Sequence, residues 1–306
     1  MIGNEYFLKR SNINAVLETV DGYPCVVLRG VKYFSIEKTF DCGQCFRFER
    51  VEDEKYDACV CGVAFGKYIK IAESEGVFYL FGTDIEEYRS LWRPFLGLDM
   101  NYPRMCERIL RENASFPIVA QAELRSRGIR ILVQDKWEAL CSFIISQNNN
   151  IPRIKKIIER LCLECGERFI AFDGSEHYSF PSPEAVIKGG IDMLKDIGTG
   201  FRAKYIMDAA ERVMSGRVDF DYLSECDKTE ECTRHLCEVH GVGPKVASCV
   251  LLFAFEKYDA FPKDVWINRV LDKYFEKGFD PDLLGEYKGI IQQWLFYNER
   301  YVEEGK

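Results

Sequence analysis

Lys245 follows Gly241-Val242-Gly243-Pro244 and heads the nearly apolar run 246–255. The spacing predicts a helix, a tight Gly-x-Gly turn and a second helix starting near Pro244, since proline suits a first turn that needs no N–H. Two glycines let the backbone approach a ligand closely. The N–H groups that open the second helix can hold a phosphate. That helix is apolar on all sides and is therefore expected to be buried. An ammonium at its positive end is disfavoured by the helix dipole and by desolvation, and both lower its pKa from about 10.4. The neutral amine is a nucleophile of the kind Schiff-base chemistry needs. Cys249 and Phe253 follow at helical spacing, on the lysine's face, as walls of a pocket. Taken alone, Lys245 also reads as a lysine that snorkels to solvent from a helix end.

Asp264 follows Phe261-Pro262-Lys263 and precedes the apolar-periodic stretch 265–275, the position of an N-cap. A carboxylate near the lysine has a second use, stabilising positive charge on a sugar or moving a proton.

The elements that must position these groups fall into two zones. The first hundred residues read as β-rich. Strand-like runs occur at Cys25–Leu28, Phe46–Glu49, Tyr68–Glu73 and Val77–Phe81, with Glu75-Gly76 suited to a turn. Beyond about Asp99 the apolar spacing is helical, at Trp137–Ser146, Ile154–Cys165, Ala203–Met214 and Leu283–Arg300. A Gly/Ser/Pro-rich segment, Phe172–Pro183, divides two helical stretches. The expected class is α+β, a small antiparallel β domain joined to a larger helical one.

Composition sets limits. The 306 residues are 47% apolar and 14% aromatic, enough for a large core and against a mainly disordered chain. With 41 Lys and Arg against 49 Asp and Glu, the net charge of -8 excludes a wholly basic nucleic-acid coat protein, though not a locally basic groove. No apolar run approaches the ~20 residues of a membrane span. Residues 1–10 lack a secretion or targeting signal, and the 13 cysteines read as reduced thiols, so a cytoplasmic protein is expected, nucleoid-associated if bacterial. The pairs Cys42/Cys45 and Cys162/Cys165 lie too far apart for a compact zinc ribbon. His177, His235 and His240 form no His-x-x-x-His pair, and no metal is expected.

The hairpin Gly241–Ala247 followed by Phe261-Pro262-Lys263-Asp264-Val265 resembles the helix-hairpin-helix glycosylase superfamily, whose bifunctional members carry a lysine in the hairpin. Other segments resemble one branch of it, the 8-oxoguanine DNA glycosylase/AP lyase family. These are Phe40-Asp41-Cys42-Gly43-Gln44-Cys45-Phe46-Arg47, Asn148-Asn149-Asn150-Ile151-Pro152-Arg153-Ile154, Gly198–Tyr205, and Gln292 with Leu295-Phe296. The resemblance runs in family order from about Phe34 to Phe296. It implies an N-terminal TBP-like antiparallel β domain, placed at residues 1–123, and a helical helix-hairpin-helix domain at 124–306.

The resemblance also implies roles. The enzyme excises 8-oxoguanine from duplex DNA, flipped out of the stack, and nicks the abasic strand by β-elimination. Lys245 attacks the sugar and Asp264 assists. The Gly43 carbonyl accepts the N7–H that 8-oxoguanine has and guanine lacks. Gln292 bonds the Watson–Crick edge, Phe296 and Cys249 sandwich the base, and Phe253 lines the pocket. The DNA-facing set is Asn148, Arg153, Phe201, Arg202, Gly241, Gly243, Val246 and Trp266. Within it Asn148, Arg153 and Arg202 face an orphaned cytosine, and Phe201 is the wedge. No cofactor is required, though the hairpin carbonyls suit a monovalent cation. An iron–sulfur cluster is not expected, because the last cysteine, Cys249, precedes Asp264. The partner is duplex DNA bearing 8-oxoguanine, with no membrane, and a monomer is expected. Trp266 stands where the family often has His, Cys45 for Ser, Phe201 for Tyr and Phe253 for Met. Two alternatives remain: a non-catalytic DNA-binding protein that keeps the hairpin, and a same-fold glycosylase with another lesion preference.

Overall fold

The computed structural model describes residues 13–303, so the N-terminal stretch read for a targeting signal lies outside the described residues. Six strands form one antiparallel sheet: β1 (Asn14–Val20), β2 (Tyr23–Arg29), β3 (Phe48–Arg50), β4 (Ala58–Ala64), β5 (Lys67–Ser74) and β6 (Val77–Phe81). Their spatial order is β1-β2-β6-β5-β4-β3. The turn between β5 and β6 falls on Glu75 and Gly76, both at positive φ, as two-residue hairpins require. Phe46 and Arg47 lie just ahead of β3, which starts two residues later than the apolar run suggests.

Helix α1 (Ile36–Asp41) packs across one face of the sheet. Its Ile36 and Phe40 join Val26, Leu28, Ile69, Ile71, Phe78 and Leu80 in a shared core, closed by Trp92 and Phe95 from the short helical segment at 85–95. The alternation of sheet residues assigns these side chains to one face. The opposite face carries a smaller cluster around Cys25, Val27, Cys59 and Phe81, against which Phe172 packs.

The helical part comprises α2 (Tyr102–Glu112), α3 (Pro117–Ser126), α4 (Lys136–Ser146), α5 (Ile151–Cys165), α6 (Pro183–Asp196), α7 (Ala203–Met214), α8 (Phe220–Glu225), α9 (Thr229–Leu236), α10 (Pro244–Ala254), α11 (Val265–Tyr274) and α12 (Lys288–Glu303). A short hairpin, β7 (Arg168–Ile170) with β8 (Glu176–Tyr178), occupies part of the Gly/Ser/Pro-rich segment. The expected single helix Leu283–Arg300 is broken. Pro281–Leu284 forms a 3-10 turn, Gly285 adopts φ 85°, and α12 starts at Lys288. The helix before the Gly-x-Gly turn ends at Leu236, four residues short of His240.

α10 packs on α4 and α9, and α12 packs on α3 and α11. Both are enclosed on nearly every side, and α12 buries Gln292, Gln293, Asn298 and Glu299 along with Trp294 and Leu295.

Two arginines tie the parts together. Arg130 donates to the carbonyls of Lys32, Tyr33 and Gly97 at 2.7, 3.0 and 2.6 Å, and lies 4.3 Å from the Tyr102 ring centroid. Arg47, ahead of β3, pairs with Glu138 of α4 at 3.5 Å. Burial outweighs this guanidinium and raises the Glu138 carboxyl to about 7. All thirteen cysteines carry free thiols. Among the described residues no helix is long and apolar enough to cross a membrane.

Candidate active site

Helix α10 starts at Pro244, as the hairpin spacing requires. Its N-cap is Gly243, in extended backbone and with no side-chain acceptor. The first intrahelical bond is Ala247 N–H to the Gly243 carbonyl at 3.0 Å. The N–H groups of Lys245 and Val246 therefore have no acceptor within the helix. Gly243 faces open space, so an anion can reach these donors. The Val246 side chain is buried in the core, which leaves only its backbone for such a contact.

Lys245 leaves the first turn of α10 half-buried, its Nζ 5.9 Å from the Phe143 ring centroid. Phe143, on α4, stacks on Phe253 at 5.5 Å, so one ring contacts both residues. Cys249 lies one turn beyond the lysine and is buried. Burial raises its thiol pKa, with the Lys245 ammonium pulling the other way and Asp264 adding to the rise.

Asp264 caps α11, its Oδ1 accepting from Ile267 N–H at 2.8 Å. Burial raises its carboxyl above the usual aspartate value, opposed by the Ile267 N–H bond and then by the Lys245 charge. The cap is thus also the carboxylate next to the lysine. One residue fills both roles because a capping bond leaves lone pairs on the other oxygen.

The remaining walls come from α12 and from the end of α1. Gln292 and Phe296 are four residues apart on one face of α12. Gln292 is 5% exposed, and its Oε1 is buried with no hydrogen-bond partner. Gly43 follows the α1 C-cap residue Cys42 at φ 76°, in the left-handed region that glycine reaches without strain. Phe296 stands next to it: a Cβ on Gly43 would lie 3.7 Å from the Phe296 ring.

These residues enclose one pocket of about 60 Å³, lined by Cys42, Gly43, Phe143, Lys245, Cys249, Phe253, Pro262, Asp264, Gln292, Gln293 and Phe296. The structure thus brings together every residue expected at the base and the sugar: Lys245, Asp264, Gly43, Cys249, Phe253, Gln292 and Phe296. Sequence reasoning missed Phe143, Cys42, Pro262 and Gln293. Phe143 and Gln293 sit in ordinary helical runs, and only their tertiary neighbours mark them.

The DNA-facing candidates lie outside this pocket. Asn148 is exposed at φ 47°, and Arg153 is exposed at the start of α5. Phe201 is 54% exposed, an unusual setting for a large aromatic side chain. Trp266 is half-buried and carries the Arg269 guanidinium 5.1 Å from its ring centroid. Arg202 is different, being only 3% exposed. It donates through Nε and Nη2 to the Gln147 carbonyl, through Nη2 to Asn148 at 3.0 Å, and through Nη1 to Thr199 at 3.1 Å. It also lies 4.4 Å from the Phe201 ring centroid. In the free protein this arginine holds the Asn148 turn.

Comparison with known proteins places this geometry. Residues 26–140 match the 8-oxoguanine DNA glycosylase N-terminal domain, and residues 141–280 match the HhH-GPD superfamily of base excision DNA repair proteins. The N-glycosylase/DNA lyase of Saccharomyces cerevisiae is 35% identical over 179 residues, 55% of this chain and 48% of that protein. The chain thus spans about half the length of that relative. Two solved structures match over their whole length. MBOgg1, in complex with a low affinity DNA ligand, is 35% identical with a TM-score of 0.86, covering 97% of this chain and 100% of that one. The Clostridium acetobutylicum 8-oxoguanine glycosylase/lyase, bound to double-stranded DNA with cytosine opposite 8-oxoG, is 30% identical with a TM-score of 0.84, again over 97% and 100%. A fold and length shared with both solved structures, at this level of identity, leave one assignment: the chain belongs to the 8-oxoguanine DNA glycosylase family of the helix-hairpin-helix superfamily.

Proposed function

We propose that this protein excises 8-oxoguanine from duplex DNA and then cleaves the strand, with Lys245 as nucleophile. The observation that carries the reading is the convergence of Lys245 and Asp264 with Gly43 and Gln292 on one pocket, from four separate elements. A nucleophile and its carboxylate beside two base-reading groups have no use in a protein that only binds DNA.

In this reading Lys245 Nζ bonds to C1′ as the glycosidic bond breaks, and the base departs with the bonding pair and takes up a proton. Asp264 faces the positive charge that develops on the sugar, in a half-buried setting that strengthens such stabilisation. Ring opening leaves a Schiff base. Loss of a C2′ proton then expels the 3′ phosphate, and hydrolysis frees the lysine. Phe296 and Cys249 hold the two faces of the flipped base. The unpartnered Gln292 Oε1 accepts from its Watson–Crick edge.

The N–H groups at the start of α10 take a backbone phosphate, and Arg153 with the Asn148 turn faces the opposite base, with cytosine preferred. A monovalent cation fits the hairpin. Among the described residues, the carbonyls of His240, Gly241 and Val242 accept no hydrogen bond, and such hard oxygen donors suit it.

The test is borohydride trapping on a duplex carrying one 8-oxoguanine opposite cytosine, with Lys245→Gln alongside. The expected result is a covalent adduct that needs both the lesion and Lys245. A bound but uncut, untrapped duplex would instead favour a non-catalytic binding protein. Trapping on a different lesion alone would favour another substrate.

A further inference from the structure

The peptide carbonyls on both sides of Gly43 are engaged. The Cys42 carbonyl accepts from Gln293 Nε2 at 2.8 Å. The Gln44 carbonyl accepts from Gln134 Nε2 at 2.7 Å. Gln44 is itself fixed, its Nε2 donating to the Thr39 and Arg130 carbonyls at 2.9 and 2.8 Å and its Oε1 accepting from Leu132 N–H at 2.8 Å. Among the described residues, no hydrogen bond reaches the Gly43 carbonyl between them.

The two clamping side chains belong to the elements that carry the rest of the site. Gln293 is 3% exposed and directly follows Gln292 on α12. Neighbours on a helix point about 100° apart, so although both line the pocket, it is Gln293 that reaches the Cys42 carbonyl. Gln134 donates its own N–H to the Phe253 carbonyl at 2.8 Å, at the end of the helix that Lys245 heads.

We propose that Gln293 is a positioning residue for base selection: by holding the Cys42 carbonyl it fixes the Gly43 carbonyl at one spacing from Gln292. This rests on the reading of Gly43 as the group that meets N7. Guanine presents a lone pair there, and 8-oxoguanine an N–H. A carbonyl held still rewards the donor and repels the lone pair. A carbonyl that can rotate away escapes that repulsion, and glycine at positive φ has little else to restrain it. Pinning the adjoining peptides removes the escape.

The experiment compares single-turnover excision of 8-oxoguanine with cleavage of a preformed abasic site, which needs Lys245 but reads no base. Gln293→Met keeps the size and removes the donor. Its ratio of excision to abasic cleavage is expected to fall about tenfold, the loss of one well-placed hydrogen bond, and its preference for the lesion over guanine to narrow. Gln293→Glu supplies a readout that a merely structural role would not move. Its protonated acid donates to the Cys42 carbonyl, whereas its carboxylate cannot. The same ratio should therefore fall as pH rises through the buried carboxyl's pKa, a trend absent from the wild type. Should Gln293→Met not fold, the ratio in Gln293→Glu at low and high pH carries the test alone. Excision and abasic cleavage falling together, or an unchanged ratio in both variants, overturns the proposal. A wild type that cleaves abasic sites but leaves 8-oxoguanine in place overturns the lesion assignment instead.

Discussion

The ring of Tyr205 packs directly on Gly241, where a Cβ would overlap three of its carbons. Tyr205 belongs to α7 and Gly241 to the hairpin. The same ring meets Phe201 edge-on at 5.8 Å and His240 at 4.9 Å. An unbroken aromatic contact therefore links the exposed wedge candidate to the Gly-x-Gly turn. Gly241 also sits at φ 79°. Gly241→Ala is expected to cost roughly 2–4 kcal/mol, from backbone strain and steric overlap together. Adding Tyr205→Ala should recover the overlap part. Denaturant unfolding of the two single variants and the double variant measures this, and strictly additive losses would contradict the packing explanation.

Asp264→Asn separates the two roles of one carboxyl. Asparagine caps helices about as well as aspartate, so unfolding stability should hold. Excision should drop by about 100-fold or more, the scale of a lost catalytic acid–base group. Burial raises the wild-type carboxyl, and in the proposed mechanism the working form is the anion. The wild-type rate should therefore fall as pH drops through a value above the ordinary aspartate range, and Asp264→Asn should lack that limb. A wild-type rate that stays flat well below that range would count against the assignment.

Phe296→Ala removes one wall of the pocket, the one proposed to hold a face of the base. It should weaken lesion excision by about 1–3 kcal/mol in transition-state terms. Cleavage of a preformed abasic site should stay near wild type, because no base is held there. Equal losses in both assays would mean that Phe296 supports the helix rather than the base.

Glu138 offers a test of the frame rather than the site. Its carboxyl rises from 4.5 to about 7 on folding. Folding thus favours its protonated form, whose contribution is full below about 4.5 and is lost as pH rises to about 7. Glu138→Gln stays neutral throughout. The wild type should lose roughly 3 kcal/mol relative to Glu138→Gln across that window, and nothing further above it. Chemical unfolding at pH 4.5 and pH 8 gives both ends; a constant difference would show that Arg47 neutralises the pair instead.

Much of this site was legible because its groups lie in short, local patterns. Pro244 marks a helix start whatever surrounds it, and Asp264 before an apolar-periodic run marks a cap. The spacing of Gln292 and Phe296 places both on one face. What was not legible depends on distant chain. Strand β4, Ala58-Cys-Val-Cys-Gly-Val-Ala, lacks a clear apolar–polar alternation because both of its faces are largely covered. Gly285 ends the 3-10 turn at a point where the apolar spacing runs on unbroken. Gln293 resembles any polar residue on a helix until its 251-residue contact with Cys42 is seen. Arg202 reads as a surface arginine beside an exposed phenylalanine, and only the fold turns it inward.

That inward arginine has a consequence for partner choice. Four of its five N–H groups already have acceptors. One remains to be offered outward without disturbing the Asn148 turn. Any two-pronged grip on an opposite base must then be an exchange, in which bonds to Gln147, Asn148 or Thr199 are given up. Such a swap adds little tightness even with the right partner. With a wrong one it would not take place, and the turn would keep its shape. Choosiness about the opposite base would then register as a kinetic checkpoint after the duplex is already held, and equilibrium affinities for matched and mismatched duplexes would differ less than their rates of excision.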